Sequence, residues 1–136
     1  MEISSLPFNK SLGITTDGVS IFLSPRSEHL NHVGTVHAAV IFGIAEAATG
    51  QSLLNRFPDL ANSFVALLRG STVKYRRPAS VNSAVCGTGT LSEADASQFI
   101  ETLQSRGRAT VDISVSVVQG DNEVFTGTFT WFAGRQ

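Results

Sequence analysis

Residues 37–56 have the sequence HAAVIFGIAEAATGQSLLNR. The segment is rich in alanine and contains no proline, and Pro58 follows it as a residue that cannot continue a helix. The pattern predicts one long helix over residues 37–56. Apolar residues lie on nearly every side of that helix, so we expect neighbouring elements to bury most of its surface.

The segments around the helix predict strands. Residues 11–16 and 18–24 are expected to form two short strands around a turn, and residues 25–36 are expected to form a loop. Four further strands are expected at residues 63–76, 81–91, 108–119 and 122–132.

The strand at 108–119 has the strongest pattern, because valine and isoleucine alternate with polar residues between Thr110 and Val117. A capping-box pattern beginning at Ser92 and a terminal Gly107 predict a second, amphipathic helix just before it. The predicted order is therefore β-β-α-β-β-α-β-β. It indicates an α+β fold in which the long helix packs on one face of an antiparallel sheet.

Length and composition fit one domain over residues 1–136. The chain is 42% hydrophobic and 15% charged, which is typical of a globular protein. Its ten basic and eleven acidic residues give a net charge of −1, so we expect neither nucleic acid nor an anionic membrane as a partner. No apolar run is long enough to span a bilayer.

The single cysteine, Cys86, cannot form an internal disulfide, and Met1–Ser5 does not have the pattern that starts a signal peptide. We therefore expect a reducing, cytoplasmic setting. His29 and His32 precede the helix without a third metal-ligating residue at a suitable spacing, so no metal site is expected.

Glu46 is the one unusual residue of the long helix. With neutral histidines, it is the only formal charge between Glu28 and Arg56. A carboxylate buried among apolar residues responds by raising its pKa, and a raised pKa suits a general base. Two other interpretations remain open: Glu46 lies on a narrow solvent-exposed stripe, or it binds a polar group across a subunit interface.

The residues before the helix indicate a site for a carbonyl oxygen. Helix N-terminal N–H groups lack backbone partners, and they stabilise negative charge that develops on a carbonyl oxygen. Gly34 and His37 lead into this helix start, and Asn31 offers a side-chain amide beside it. Gly34 and Ala38 are therefore expected to contact a substrate there.

One chain cannot bring its own Glu46 to its own helix start. His37 and Glu46 lie on opposite sides of the helix and roughly 13–14 Å apart along it. Two antiparallel helices in a two-fold dimer would solve the problem, because each would supply a carboxylate to the N-terminus of the other. The sequence thus predicts a dimer with two shared sites.

The pattern resembles the hotdog-fold acyl-CoA thioesterases of the phenylacetate-pathway type. The likeness is carried by Asn31, by Gly34–Ala39 (Gly-Thr-Val-His-Ala-Ala) and by Glu46 at the family's spacing. Tyr75–Ala79 also resembles the family's Tyr-x-x-Pro-Ala after its first long strand. The resemblance spans roughly residues 11–132. It implies a hotdog fold, with a long central helix wrapped by an antiparallel sheet and active sites between two subunits.

The resemblance also implies a role for each site residue. Glu46 would act as general base or nucleophile on a thioester. Backbone N–H groups near Ala38 and Ala39 would polarise the thioester carbonyl, and Asn31 would bind that carbonyl or the attacking water. His37 would shape the helix start.

The resemblance implies an acyl-CoA thioesterase that releases a free acid and CoA without a cofactor. Its substrate would be an acyl-CoA or an acyl-carrier thioester, and the chain would form a homodimer or a dimer of dimers. Lys74, Arg76 and Arg77, with Arg69 nearby, are expected to bind CoA phosphates. Alternation places Lys74 and Arg76 on one strand face and Arg77 on the other. The alternative is a set of solvated charges at the strand end.

Two departures from the family pattern favour a different function. Ala38 and Ala39 replace the usual glycine pair, and Leu68 stands where some members carry serine or threonine. Both changes leave room for a slow enzyme or for a non-catalytic hotdog protein that binds acyl-CoA or lipid. A hydratase on the same fold would need an Asp/His pair at the helix start, which this sequence lacks.

Overall fold

One six-stranded antiparallel sheet forms the frame of the molecule. The computed structural model describes all 136 residues. The strands are β1 (Thr15–Thr16), β2 (Ile21–Leu23), β3 (Phe64–Tyr75), β4 (Val85–Thr90), β5 (Arg108–Gln119) and β6 (Asn122–Arg135). They lie in the order β1-β2-β4-β5-β6-β3, so β3 is an edge strand whose only partner in the chain is β6.

Four helices accompany the sheet. They are α1 (Pro7–Leu12), α2 (Ala38–Arg56), α3 (Leu60–Ser63) and α4 (Glu93–Arg106), and short 3₁₀ turns lie at Ile3–Ser5 and Ser27–His29. The predicted long helix is confirmed as α2, and the predicted amphipathic helix is confirmed as α4. None of the helices combines the length and the apolar character that a membrane crossing requires.

The two faces of the sheet differ in chemistry, as the alternation in β5 predicts. Val111, Ile113 and Val115 are buried against the side that carries α2, whereas Thr110 and Asp112 are exposed on the other side. The buried apolar residues form one core of 29 side chains. The predicted α+β hotdog architecture, a long helix packed on an antiparallel sheet, is confirmed.

Two glycines let α2 lie directly on the backbone of β4. A Cβ atom at Gly87 would lie 2.9 Å from Cγ2 of Ile44. A Cβ atom at Gly89 would lie 2.5 Å from Oγ of Ser52 and 2.8 Å from the carbonyl oxygen of Ala48. The helix therefore occupies the space that side chains on this strand would fill.

The amino-terminal segment, residues 1–12, differs from the prediction. Residues 11–16 were expected to be a strand, but Pro7–Leu12 form α1 and β1 is only Thr15–Thr16. Pro7 lies in the first turn of α1, where its fixed φ suits the helix and its missing N–H costs nothing. Gly13, with φ 80°, ends the helix.

Other boundaries also shift. The strand expected at 18–24 is shorter, β4 begins at Val85 because residues 81–83 form a turn, and β6 continues past 132 to Arg135. The short helix α3 was not predicted.

The amino-terminal segment packs on α2 through two further glycines. A Cβ atom at Gly43 would lie 2.9 Å from Cδ1 of Leu12, and one at Gly50 would lie 3.4 Å from Cδ1 of Ile3. Asn9 is buried, and its Nδ2 donates a hydrogen bond to the Ile3 carbonyl oxygen at 2.9 Å, which ties the segment together. The segment therefore adds a wall to the surroundings of α2.

Replacing Gly89 with alanine tests the close approach of α2 to β4. We expect Gly89→Ala to lower the free energy of unfolding by about 1–3 kcal/mol, because the new methyl group meets helix backbone that cannot move aside. Urea unfolding measures the change. Gly70→Ala is the control, since a Cβ atom there meets nothing within 4 Å. Equal effects of the two substitutions would contradict the packing described.

Candidate functional site

An apolar cavity of about 340 Å³ lies between α2, β3 and the amino-terminal segment. Thirteen of its sixteen lining residues are hydrophobic, and Glu46 is the only acidic or basic side chain among them. Ile3 and Leu6 contribute from the amino-terminal segment, and Leu68 and Trp131 contribute from the sheet. We refer to this space as the apolar cavity.

The side-chain carboxylate of Glu46 has no hydrogen-bond or ion-pair partner in the chain. Its side chain is partly buried, and loss of water around the carboxylate raises the pKa of Glu46 above the ordinary glutamate value. The first of the three interpretations of Glu46, a carboxylate in apolar surroundings, fits this position. The arrangement keeps a basic carboxylate beside a space suited to an apolar group.

A buried hydrogen-bond chain fixes the helix at this level. The indole N–H of Trp131 donates to Oγ1 of Thr49 at 2.9 Å. The Thr49 hydroxyl in turn donates to the Glu46 carbonyl oxygen at 2.8 Å. Because these two hydrogen bonds join α2 to β6, they hold the backbone of Glu46 at a fixed place relative to the sheet.

The start of α2 differs in detail from the prediction. His37 is the N-cap residue, and its Nδ1 accepts a hydrogen bond from the Ala39 N–H at 2.9 Å. The N–H groups of Val40 and Ile41 donate to the His37 carbonyl oxygen. The Ala39 N–H is therefore already engaged by His37, and the contact of Ala39 with a substrate carbonyl stays a prediction. Ala38 keeps the free N–H group at an exposed position.

Asn31 closes the loop that precedes α2. Its Oδ1 accepts hydrogen bonds from the N–H groups of Val33 and Thr35 at 3.0 and 3.1 Å, and its Nδ2 donates to Oγ1 of Thr35 at 2.9 Å. Gly34, in the same loop, has φ 80°, which glycine adopts without strain. The amide oxygen of Asn31 is thus occupied within the chain, and only one Nδ2 hydrogen is free for an external group.

The Tyr75–Ala79 segment holds the same helix start from the other side. The Tyr75 hydroxyl donates to the Ala38 carbonyl oxygen at 3.2 Å, and the Val36 N–H donates to the Ala79 carbonyl oxygen at 2.8 Å. Burial raises the pKa of Tyr75, so the phenol stays protonated as a donor. These two hydrogen bonds join the Tyr75–Ala79 segment to the start of α2.

Ala38 and Glu46 of one chain do not meet. They are eight residues apart on a continuous helix, which places them about 12 Å apart along its axis. A single protomer therefore cannot place both groups on one carbonyl carbon. The shared site between two chains stays a prediction.

The predicted phosphate-binding residues lie where β3 ends beside β6. Nε of Arg76 donates to Oγ1 of Thr126 at 2.8 Å and lies 3.5 Å from Glu123. Nη1 of Arg77 donates to Asn122, and Lys74 is exposed. Because β3 ends at Tyr75, strand alternation does not extend to Arg77 as the sequence argument assumed.

Sequence reasoning missed the walls of the apolar cavity. Ile3 and Leu6 enter it only because the amino-terminal segment folds back on α2. Pro7 was the available signal, since proline is favoured in the first turn of a helix. Leu68 was noted for its departure from a family pattern, and the structure brings it and Glu46 into one cavity.

No three histidine, cysteine, aspartate or glutamate side chains gather in one place. His29 is buried, and its Nδ1 accepts a hydrogen bond from the Arg26 N–H at 3.0 Å. This histidine therefore serves the loop before α2.

Residues 9–133 match the DUF4442 family, described as a domain of unknown function. No curated protein sequence matches the chain. Among solved structures, a Pseudomonas aeruginosa protein of unknown function, described as a probable thioesterase, has TM-score 0.81 and 18% identity over 98% of this chain and 91% of its own.

Two other solved structures are similar in fold. A variant of the phenylacetic acid degradation protein PaaI from Thermus thermophilus has TM-score 0.68 and 23% identity over 93% of this chain and 98% of its own. A Bacillus halodurans protein crystallised with CoA has TM-score 0.73 and 17% identity over 95% of this chain and 76% of its own. These likenesses support the hotdog fold.

Glu46→Gln is expected to stabilise the fold at neutral pH. Because burial raises the folded-state pKa, the ionised Glu46 opposes folding, and this penalty appears as pH rises through that pKa. Thermal unfolding should therefore show a higher Tm for the variant at pH 7, by about 4 °C for each kcal/mol gained. The gain should vanish below the unfolded-state pKa of about 4.3, where both forms are neutral.

Glu101→Gln is the control, because Glu101 is an exposed carboxylate of α4 that has no hydrogen-bond or ion-pair partner. A Glu46→Gln variant that is less stable than the parent at pH 7 would show that the ionised carboxylate has a favourable partner.

Proposed function

The chain belongs to the DUF4442 family, and we propose that it is an acyl-CoA thioesterase that hydrolyses its thioester at a site shared by two subunits. The observation that carries the proposal is Glu46, a carboxylate with a raised pKa that is the only acidic or basic side chain in an otherwise apolar cavity. Apolar walls suit an acyl group, and a carboxylate with a raised pKa beside them suits a general base.

In the proposed reaction, Glu46 acts as a general base. Its carboxylate takes a proton from water, and the water oxygen attacks the thioester carbonyl carbon. Negative charge then develops on the carbonyl oxygen. The C–S bond breaks as that oxygen re-forms its double bond, and the protonated Glu46 returns its proton to the leaving CoA thiolate, which regenerates the carboxylate. The products are the free acid and CoA.

The Ala38 N–H of the second subunit is the proposed donor to the carbonyl oxygen. It is exposed and without a partner, and it lies at the positive end of the α2 macrodipole. His37 and Tyr75 hold this N-terminus in position through their hydrogen bonds to Ala39 and Ala38. Asn31 keeps the loop before it closed.

A second function has a specific observation in its favour. The apolar cavity contains no serine, threonine or tyrosine hydroxyl, and Leu68 of β3 lines the same cavity as Glu46 of α2. A site without a hydroxyl has fewer groups to orient an attacking water. A non-catalytic protein that binds acyl-CoA or lipid is therefore the alternative.

Thiol release from a panel of short, medium, long and aromatic acyl-CoAs tests the proposal. We expect hydrolysis by the wild type and a loss of at least 100-fold in Glu46→Gln, equivalent to about 2.7 kcal/mol of transition-state stabilisation. The acidic limb of the pH profile of kcat/KM should lie above the ordinary glutamate pKa, because burial raises that of Glu46.

The matched control is Glu93→Gln, which removes one carboxylate outside the cavity. This variant should hydrolyse acyl-CoA at the wild-type rate. Saturable binding of acyl-CoAs without hydrolysis of any of them would favour the binding protein instead. If the Glu46→Gln variant hydrolyses acyl-CoA as fast as the wild type does, Glu46 is not the catalytic carboxylate.

Light scattering after size exclusion tests the shared site. Because Ala38 and Glu46 are about 12 Å apart in one chain, activity requires at least a dimer. We expect a dimer or a dimer of dimers at micromolar concentration. A strict monomer that retains full activity would overturn the shared arrangement.

A further inference from the structure

The apolar cavity follows one side of α2. The helix contributes Glu46, Gly50, Leu53 and Leu54 to its lining, and these positions fall within about 100° of one another around the helix. From Glu46 to Leu54 the helix rises about 12 Å along its axis. The cavity therefore runs along α2 from Glu46 towards the carboxyl end of the helix.

The two ends of this path differ in chemistry. Glu46 lies at one end, and Leu60 and Ala61 of α3 line the other. Of the three lining residues that are not hydrophobic, Glu46 is partly buried, Gly50 has no side chain and Gln136 is exposed. A polar group on a chain that extends past Glu46 would lose its water and find no buried partner, which disfavours it.

Gly50 lies where three elements meet around the cavity. A Cβ atom there would lie 3.4 Å from Cδ1 of Ile3, and 3.5 and 3.6 Å from Cζ2 and Cη2 of Trp131. All three residues line the cavity. Gly50 follows Glu46 by one turn, about 6 Å along the axis and on nearly the same side of the helix. The missing side chain at Gly50 thus leaves room for a chain that extends from Glu46.

The two walls opposite Gly50 are held in place. The indole N–H of Trp131 donates to Oγ1 of Thr49 at 2.9 Å, and only 8% of Trp131 is exposed. Ile3 is buried, and its carbonyl oxygen accepts a hydrogen bond from Nδ2 of Asn9 at 2.9 Å. Walls that are packed and hydrogen-bonded in this way yield little to an oversized ligand, so they discriminate by size.

We propose that the apolar cavity selects an unsubstituted aliphatic acyl chain of medium length, and that Gly50, Ile3 and Trp131 set the length that is accepted. This inference rests on the proposed function for the position of the thioester beside Glu46 and adds the class of the acyl group. An extended hydrocarbon chain advances about 1.3 Å for each carbon, so the path along α2 holds about eight to ten carbons.

Replacing Gly50 with alanine tests the limit on length without disturbing the fold. The new methyl group would meet Ile3 and Trp131 at ordinary contact distances, and alanine favours a helix more than glycine does. The variant should therefore unfold at a Tm no lower than that of the wild type. Its kcat/KM for decanoyl-CoA should fall by about tenfold or more, while that for butyryl-CoA changes by less than about twofold.

Two further variants complete the set. Ile3→Ala removes carbon atoms from the wall opposite Gly50, so the preferred acyl chain should become longer, with dodecanoyl-CoA gaining relative to octanoyl-CoA. Gly70→Ala is the matched control, because it adds a methyl group outside the cavity where nothing lies within 4 Å. It should keep the wild-type preference.

A binding experiment tests the cavity without any hydrolysis. Trp131 is the single tryptophan of the chain and lines the cavity, so its fluorescence reports whether the cavity is filled. Titration with hexanol, octanol and decanol should change the emission of the wild type, with affinity that rises with length. Gly50→Ala should bind decanol about tenfold more weakly, and hexanol nearly as well as the wild type does.

Three outcomes would overturn the inference. One is the same dependence on chain length in Gly50→Ala as in the wild type. Another is faster hydrolysis of phenylacetyl-CoA or of a hydroxyacyl-CoA than of octanoyl-CoA. The third is Trp131 emission that none of the alcohols changes.

The two readouts separate this inference from the proposed function. A wild type that binds the alcohols with a length limit that Gly50→Ala shortens, yet hydrolyses no acyl-CoA, would support the selective cavity and reject the thioesterase. Hydrolysis that depends on Glu46, with a length preference that Gly50→Ala leaves unchanged, would support the thioesterase and reject the role of Gly50.

Discussion

The structure depends on how closely α2 lies against β4. Gly87 and Gly89 present only backbone to the helix. The side chains of Ile44 and Ser52 therefore occupy the space that a Cβ atom at Gly87 or Gly89 would need. The sheet covers one side of α2, and the amino-terminal segment packs against the helix at Gly43 and Gly50. A carboxylate on a helix so surrounded has little water available. Burial in the cavity that the amino-terminal segment and β3 form with α2 raises the pKa of Glu46.

The parts of the fold that the sequence could predict depend on local patterns. The alternation in β5 and the alanine-rich, proline-free sequence of α2 each predict an element from neighbouring residues alone. The amino-terminal segment was misjudged because its conformation depends on docking to Gly43 and Gly50, which lie far along the chain. Glu46 stood out as a lone charge, but the walls around it come from three separate regions.

The helix start shows why residue types alone do not fix a site. A histidine before a helix can cap it or can leave the N–H groups free, and the choice depends on the side-chain rotamer and its neighbours. Here Nδ1 of His37 takes the Ala39 N–H, and Asn31 turns its amide into the loop. The arginines face the same kind of choice, since Arg76 is paired with Glu123 whereas Arg69 stacks on Phe132. Such competition between partners becomes visible only in three dimensions.

The position of β3 at the edge of the sheet also affects how the chain folds. Its partners all lie in β6, in pairs that run from Tyr75 with Phe125 to Phe64 with Arg135. The strands β4, β5 and β6 pair in their order along the chain. In contrast, β3 pairs only with β6, and closing the long loop between these two strands has a larger entropic cost. During that interval an extended strand with exposed Val65 and Leu67 has no partner. Slow closure of the sheet, and a risk of self-association before it, follow from the strand order itself.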